Sequence, residues 1–441
     1  MRVFAPRFSR LFAVLVAQAF LWLPATGRAE TETTVLRAAR MFDAMTGTLR
    51  SDAVVVVRDG RIMAVGKNAV IPPGARVMNF GDATLLPGFI DAHSHLTLEP
   101  DGNYYRKTLN ELLRNPTEMA FYAGRNARRT LEAGFTTVRH VGGREFIDVG
   151  LRNAIEAGLT PGPRILAAGN AITAPGGSCD RPPFPLHRVP ALTSKEGVCS
   201  GAEQCRAAVR NQIKWGADVI KICASGGILS YDPVDVPQLT SDELKAAIDE
   251  AHNWKRKTAA HAHGDTAARL AVEAGIDSIE HASFLSAETL VLMKKNGVFL
   301  VPTIMAVDWM KRNTDAYPPL IAEKARAAAE AHSRMFRKAV ELDVPIALGT
   351  DATVLPDAHG LNALEFVLMT DLGLPPEKAL LAGTRNAAKL LGLDHEIGTI
   401  SEGKWADIVA VPGNPVVDIK VTQTPVFVMK RGVVVREGPR D

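Results

Sequence analysis

The middle of the chain alternates short apolar segments with amphipathic ones, and no other feature constrains the fold as strongly. Eight segments have the length and apolar content of buried strands: 84–95, 135–139, 164–168, 219–223, 258–263, 278–281, 298–303 and 345–350. Helical patterns lie between or after them: 117–133, 145–157, 202–215, 241–256, 265–274, 287–296, 320–342 and 376–391. Eight strand–helix units over roughly 250–300 residues predict an α/β fold, the TIM (β/α)8 barrel.

The two ends of the chain have a different pattern. Residues 34–86 and 396–441 contain short β-branched runs separated by turn signals such as Asp59-Gly60. Two β-rich ends that flank one large middle predict a small composite β-sandwich built from both ends. The expected boundaries are 30–86 and 394–441 for the two parts of the sandwich domain and 87–393 for the barrel.

The first 29 residues resemble an export signal. Three arginines precede an apolar run of 13 residues at 11–23, and the small residues Gly27 and Ala29 follow it. The run is shorter than the ~20 residues that span a bilayer. We predict a signal peptide over residues 1–29, cleavage near Ala29, a periplasmic or secreted protein, and no stable membrane insertion.

The charge balance changes once this segment is set aside. The whole chain has 51 basic and 48 acidic side chains and a formal charge of +3. Four of the arginines lie within residues 1–29, so the remaining 412 residues carry 47 basic against 48 acidic side chains. Nucleic-acid binding requires clustered basic charge, so a nucleic-acid partner is not expected.

Four cysteines fall in one part of the barrel. Cys179, Cys199 and Cys205 lie in or beside the Pro/Gly-rich loop 171–200, and export permits a disulfide among them that would hold the loop. Cys223 lies in an apolar strand, where a buried free thiol is expected. The chain has no Cys-x-x-Cys pair, so a thiolate zinc site is not expected.

Chemically capable side chains fall where the predicted barrel strands end. Catalytic residues of TIM barrels come from the carboxyl ends of the strands. The side chains found there are His93 and His95, Lys221, His261 and His263, His281, and Asp351. Imidazole and carboxylate are suitable ligands for Zn²⁺ and related ions. An ammonium has no free lone pair, so Lys221 would act as a ligand only after CO₂ converts it to a carbamate.

Several short motifs accompany these residues. They are PGFIDAHSH (87–95), VIKI (219–222), SGG (225–227), HAHG (261–264), SIEH (278–281), GTD (349–351) and GKWADIV (403–409). Together they make the chain resemble the amidohydrolase superfamily, and within it the Xaa-Pro dipeptidase and ochratoxinase branch. The resemblance extends over almost all of the chain after the signal segment. It departs from the family at Ser178, where a His often follows the two glycines.

The resemblance implies a centre with two divalent metal ions, expected to be Zn²⁺. His93 and His95 would bind the more buried ion, His261 and His281 would bind the other, and carboxylated Lys221 would bridge them. Asp351 would contact a metal and the bridging hydroxide. Spacing alone does not choose between His261 and His263 as ligand; the deeper strand position and the family pattern favour His261, which leaves His263 facing substrate.

The implied reaction is attack of the bridging hydroxide on an amide carbonyl. Asp351 would accept the proton and deliver it to the leaving nitrogen. His263 and Tyr231 are candidate donors to the developing oxyanion. His140, at the end of the second strand, could meet a substrate carboxylate, although an ordinary loop role fits Tyr231 and His140 equally well. Strand alternation predicts that Glu280 points away from the cavity.

These observations favour a metal-dependent amidohydrolase that releases a C-terminal amino acid. Its substrate would be an N-acyl amino acid, an Xaa-Pro dipeptide or an amide like ochratoxin A. The alternatives are a cyclic-amide hydrolase resembling imidazolonepropionase, a lactonase-type hydrolase, and a barrel kept for binding alone. Lys221 argues against the cyclic-amide hydrolase, and the intact set of expected ligands argues against a barrel kept for binding alone. Relatives form homo-oligomers, often octamers, so a homo-oligomer is expected.

Overall fold

The fold is seen in a computed structural model that describes residues 32–99, 101, 103–180, 189–353 and 356–438. The predicted signal peptide lies outside these residues. Among the helices of the described part, none combines the length and the apolar content needed to cross a bilayer.

The strands are β1 Thr34–Asp43, β2 Thr48–Arg58, β3 Arg61–Val65, β4 Arg76–Asn79, β5 Ala83–Pro87, β6 Phe89–Ser94, β7 Phe135–His140, β8 Arg164–Ala167, β9 Val219–Cys223, β10 Lys257–Ala262, β11 Ser278–His281, β12 Phe299–Val301, β13 Ile408–Pro412, β14 Phe427–Lys430 and β15 Val433–Glu437. The α-helices are α1 Tyr104–Leu113, α2 Pro116–Glu132, α3 Ile147–Glu156, α4 Ala202–Lys214, α5 Ser241–Asn253, α6 Asp265–Ala274, α7 Ala287–Asn296, α8 Ile304–Arg312, α9 Pro319–Glu341, α10 Leu364–Asp371, α11 Pro376–Leu381 and α12 Ala387–Leu390.

The barrel strands run parallel in the orders β6-β7-β8 and β12-β11-β10-β9. Backbone contacts join these two sheets on both sides. Ile172, just after β8, pairs with Ile222 of β9. Segment 345–350 pairs with β12 through Ile346, and the carbonyl of Leu348 accepts a hydrogen bond from the amide of Ala92 in β6. Eight segments therefore follow one another around a ring, and the predicted TIM-barrel fold is confirmed.

Both chain ends contribute to one eight-stranded sheet, in the order β15-β14-β13-β5-β1-β2-β3 with β4 beside β1. The turn after β2 and the turn after β14 pack against each other. A Cβ on Gly60 would lie 2.7 Å from the carbonyl oxygen of Arg431, and one on Gly432 would lie 2.7 Å from Cα of Gly60. Both glycines have positive φ, so the close approach and the turns require the same residue type.

The predicted first barrel strand, 84–95, is two strands that belong to different sheets. β5 joins the sheet of the chain ends, whereas β6 enters the barrel. Gly88 separates them, and a Cβ there would lie 2.2 Å from Oγ1 of Thr136. The apolar run is continuous because both strands are buried. The helices α1, α8 and α10 are also additions to the predicted pattern.

Candidate active site

The ends of the barrel strands open into a cavity of about 1120 Å³. Eight of the residues predicted for the site line it: His93, His95, Lys221, Tyr231, His261, His263, His281 and Asp351. The ring of parallel strands brings them together although they are up to 258 positions apart in the chain. The cavity therefore collects nearly all of the predicted constellation.

Two groups of potential metal ligands share His281. The ligand atoms of His93, His281 and Asp351 lie within 4.8 Å of one another, and those of His261, His263 and His281 do the same. Ring centroids are 4.8 Å apart for His93 and His281 and 4.6 Å apart for His261 and His281. The imidazoles thus form one continuous cluster with space for ligands on both sides of His281.

Contacts of Nδ1 hold the rings of His93, His95 and His281. The contacts join His93 to Oε2 of Glu280 (2.7 Å), His95 to the carbonyl of Gly142 (2.8 Å) and His281 to Oγ1 of Thr303 (2.8 Å). A carboxylate and a carbonyl only accept, so His93 and His95 donate from Nδ1 and their Nε2 atoms keep a free lone pair. Metal-binding histidines show this arrangement, in which the second nitrogen fixes the ring.

His261 lies in β10 and His263 follows directly after it, and the two rings contact the protein through different nitrogens. Nε2 of His261 faces the carbonyl of Gly226 at 3.4 Å, which leaves Nδ1 as its free nitrogen. His263 instead uses Nδ1, which lies 2.9 Å from Oγ of Ser283. Each ring therefore has one nitrogen held by the protein and one available for a ligand.

Burial keeps these imidazoles neutral. It lowers the pKa of His261 to about 3 and those of His93, His95, His263 and His281 well below the ordinary value, and the neighbouring rings and Lys221 lower them further. Neutral imidazole is the form that coordinates a metal. These neutral imidazole nitrogens are therefore suited to binding a divalent cation, whereas burial disfavours their protonation.

Lys221 is buried and Asp351 is half-buried, and the two groups carry opposite charge. Burial lowers the pKa of Lys221 to about 8, and the carboxylates of Glu280 and Asp351 oppose this change. Burial also raises the pKa of Asp351. Its Oδ1 lies 3.7 Å from Nε2 of His95 and 3.9 Å from Nε2 of His93. Asp351 therefore joins the first ligand group to His95.

The backbone is strained at three points of the site. His281, Thr303 and Asp351 have φ values of 69°, 54° and 48°, in the left-handed region that side chains with a Cβ rarely adopt. Such residues cost of order 1–3 kcal/mol each and cluster at functional sites. At His281 the left-handed turn interrupts strand alternation directly after Glu280.

His140 does not reach the cavity in the described structure. It is fully buried, and its Nε2 accepts a hydrogen bond from the amide of Thr97 at 3.2 Å. Its Nδ1 lies 3.7 Å from Asp148, and its ring packs 5.7 Å from that of His95. This position supports His95 from behind and does not support the predicted contact with a substrate carboxylate.

Glu280 and Arg139 form a buried layer beneath the histidines that the sequence analysis missed. Glu280 is not among the described residues that line the cavity, yet its Oε2 holds His93. Its Oε1 accepts from Arg139 at 2.8 Å and from Oγ of Ser278 at 2.6 Å. The available signal was Arg139 itself, because an arginine within an apolar strand requires a buried partner.

The described residues contain two disulfides, Cys179–Cys223 and Cys199–Cys205, and Cys179 lines the cavity. The second confirms a bridge among the loop cysteines, but the predicted free thiol at Cys223 is wrong. Cys223 ends β9, where Cys179 of the long loop reaches it. Beside it, Oγ of Ser178 donates to the carbonyl of Ser225 at 3.0 Å, so the loop is tied to the strand end twice.

The fold, the imidazole cluster and the buried Lys221 together define a class of metal-dependent hydrolases. The model of the Amidohydrolase family matches residues 84–435. The chain therefore belongs to the amidohydrolase family and is a hydrolase that acts on C–N bonds. Members of this family generally use divalent metals.

The chain is similar to individual proteins whose names are more specific than that of the family. The ochratoxinase of Aspergillus niger is 31% identical over 417 residues, 90% of this chain and 84% of that protein. The crystal structure of A. niger ochratoxinase has a TM-score of 0.83 at 30% identity and covers 92% of this chain and 96% of its own. A Xaa-Pro dipeptidase with methionine bound in its active site has a TM-score of 0.87 at 35% identity, covering 92% of this chain and 100% of its own.

Proposed function

We propose that this chain is a binuclear-metal amide hydrolase that releases a C-terminal amino acid from an N-acyl amino acid, an Xaa-Pro dipeptide or an ochratoxin-like amide. One observation carries the proposal. Buried neutral imidazoles, each with one free nitrogen, converge with Lys221 and Asp351 on a single cavity. The similarity to an ochratoxinase and to a Xaa-Pro dipeptidase supports the substrate class.

The residues that would hold the metals are His93, His95, His261, His281, Lys221 and Asp351. Zn²⁺ suits a donor set dominated by imidazole. When bound, two divalent cations lower the pKa of a water molecule and polarise the scissile carbonyl.

Lys221 would bridge the metals as a carbamate. Burial brings its pKa to about 8, so a useful fraction of the amine is neutral near physiological pH. The neutral amine attacks the carbon of CO₂, a new N–C bond forms, and one proton is released. The product is an anion with two oxygens, which would lie in the cavity that the histidines also line.

Asp351 would move the proton. Its raised pKa suits a base that accepts a proton from water and then donates it to the leaving nitrogen. His263 and Tyr231 line the same cavity and would donate to the oxyanion. His140 is not among the described residues that line the cavity. The positive charge that binds a substrate carboxylate would therefore come from three basic side chains that do line it: Lys107, Arg144 and Lys195.

The decisive experiment is an amino-acid release assay on purified protein with measured metal content. The panel contains N-acyl amino acids, Xaa-Pro dipeptides, ochratoxin A, a lactone and a cyclic amide. We expect close to two divalent ions per chain and release of a free amino acid from the first three substrates. Turnover of only the lactone or the cyclic amide, or activity with a single ion, would refute the proposal.

We also propose that the protein is exported. The two disulfides support this, because they persist in oxidising compartments. Intact mass measurement of protein from the periplasm or the medium tests it. A mature chain that begins near Glu30 is expected, whereas an uncut chain confined to the cytoplasm contradicts the proposal.

A further inference from the structure

Packing fixes the side chain of Tyr231 only in part. It lies in the loop between β9 and α5, lines the cavity and is 57% exposed, with the side chain of Tyr104 against it. A donor to an oxyanion must be held within a fraction of an ångström of its productive position. For a side chain this exposed, that precision depends strongly on the position of its backbone.

A single ammonium holds the backbone on both sides of Tyr231. Nζ of Lys324, on α9, donates to the carbonyl of Ser230 at 2.6 Å and to the carbonyl of Asp232 at 2.6 Å. Lys324 is partly buried and lies more than 90 positions later in the chain. These two carbonyls belong to the residues immediately before and after Tyr231, so both neighbouring residues are tied to α9.

The remainder of the loop has other anchors. Ile228 is buried against Ala306 and Val307 of α8. Tyr104 of α1 donates from its hydroxyl to the carbonyl of Leu229 at 3.2 Å, and its ring packs edge-on 6.5 Å from that of Tyr231. Loss of the ammonium would therefore loosen the segment around Tyr231 without releasing the whole loop.

We infer that Lys324 is a positioning residue, which holds Tyr231 for the reaction by fixing the residues on either side of it. The inference rests on the proposed role of Tyr231 in amide hydrolysis. Lys324 itself does not touch the reacting atoms. Its effect on the reaction passes through the placement of the Tyr231 hydroxyl.

The kinetic test compares Lys324→Met with Lys324→Arg and with Lys338→Met. Lys338 lies on the same helix, where it pairs with Glu341 away from the loop. We expect Lys324→Met to lower kcat about tenfold with KM within about twofold, since the contact matters mainly in the transition state. Lys324→Arg should recover most of the loss, and Lys338→Met should match the wild type. Equal effects of both methionine variants would overturn the inference.

A double-mutant cycle with Tyr231→Phe separates positioning from general destabilisation. If Lys324 acts through Tyr231, adding Lys324→Met to Tyr231→Phe changes kcat less than about twofold. Effects that multiply overturn the inference. Full activity of Tyr231→Phe also overturns it, while the hydrolase proposal stays supported by metal content and amino-acid release.

A third measurement does not depend on activity. Chymotrypsin cleavage after Tyr231, followed by the masses of the two fragments, reports the mobility of this segment. Lys324→Met should be cut several times faster than wild type and Lys338→Met, and Lys324→Gln serves in place of a Met variant that does not fold. Unchanged cleavage overturns the inference even if the substrate panel proves silent.

Discussion

Nδ1 of His93 donates a hydrogen bond to Oε2 of Glu280 over 2.7 Å, and both side chains are fully buried. Glu280 immediately precedes the proposed ligand His281 on β11, and it fixes the ring of another proposed ligand, His93, on β6. The other oxygen of Glu280 neutralises Arg139. Glu280 is therefore shared between the proposed metal site and the charge balance of the barrel interior.

The substitution Glu280→Gln should weaken metal binding and stability together. Loss of such an outer partner costs 10–100-fold in metal affinity. Breaking a buried ion pair costs about 3–5 kcal/mol because the remaining charge is uncompensated. Zn²⁺ competition with a chelator and urea unfolding measure the two effects. Glu250→Gln is the control, since Glu250 pairs with Arg210 far from the site; equal zinc affinity in the two variants contradicts the role of Glu280.

Carboxylation of Lys221 should depend steeply on pH. Below a pKa of about 8 the ammonium predominates, and the neutral amine falls about tenfold for each further pH unit. At fixed CO₂, metal-free protein should regain activity with Zn²⁺ about ten times more slowly at pH 6 than at pH 7. The recovery of activity over time gives the rate. Lys221→Ala should not recover at all, and a rate independent of CO₂ would exclude the carbamate.

The two disulfides should contribute unequally to stability. They close segments of 44 and 6 residues, and chain entropy assigns them about 4 and about 2.2 kcal/mol. Replacing Cys179 and Cys223 by Ser should therefore lower the free energy of unfolding more than the same change at Cys199 and Cys205. Cys179 also lines the cavity, so KM should rise only in the variant that lacks Cys179 and Cys223. Urea titration and steady-state kinetics test both statements, and identical profiles would contradict them.

Substitutions at Thr303 distinguish the effect of its hydroxyl from the effect of the strained backbone at the same position. Its Oγ1 lies 2.8 Å from Nδ1 of His281. Thr303→Val keeps the β-branched shape at positive φ but removes this partner, so zinc affinity should fall about tenfold. Thr303→Ser keeps the hydroxyl and should bind zinc as the wild type does. Competition with a chelator distinguishes them, and matching affinities would show that the contact does not orient His281.

Local patterns were sufficient for most of the barrel. Helices at 265–274 and 287–296 were predicted at their observed bounds, because an apolar stripe coincides with clear ends. The break between β5 and β6 at Gly88 was missed because strand burial looks the same in either sheet. The convergence of the proposed ligand histidines was predictable since strand ends of a barrel converge. His140 shares that position, yet its ring turns toward Thr97, which no spacing reveals.

The partners of the site were harder to predict because they come from distant segments. Nothing near Cys223 in the chain indicates Cys179, which meets it only when the long loop folds back. Strand alternation that continues to His281 predicts that Glu280 points away from the cavity. Glu280 instead points into the barrel interior with Ser278, and the left-handed turn at His281 lets the next side chain reach the cavity as well. Lys324 has an ordinary helical position, and only the folded chain brings it to Tyr231.

The sheet shared by both parts of the chain that flank the barrel makes completion of the fold depend on strands that follow the whole barrel in sequence. Leu85 of β5 pairs with Ala410 of β13, so one edge of the first sheet stays open until β13 is in place. A chain that stops before β13 exposes that edge to other chains. Addition of β13 therefore works as a check that the barrel has been made, because only a chain that extends beyond the barrel can close the sheet on which the barrel begins.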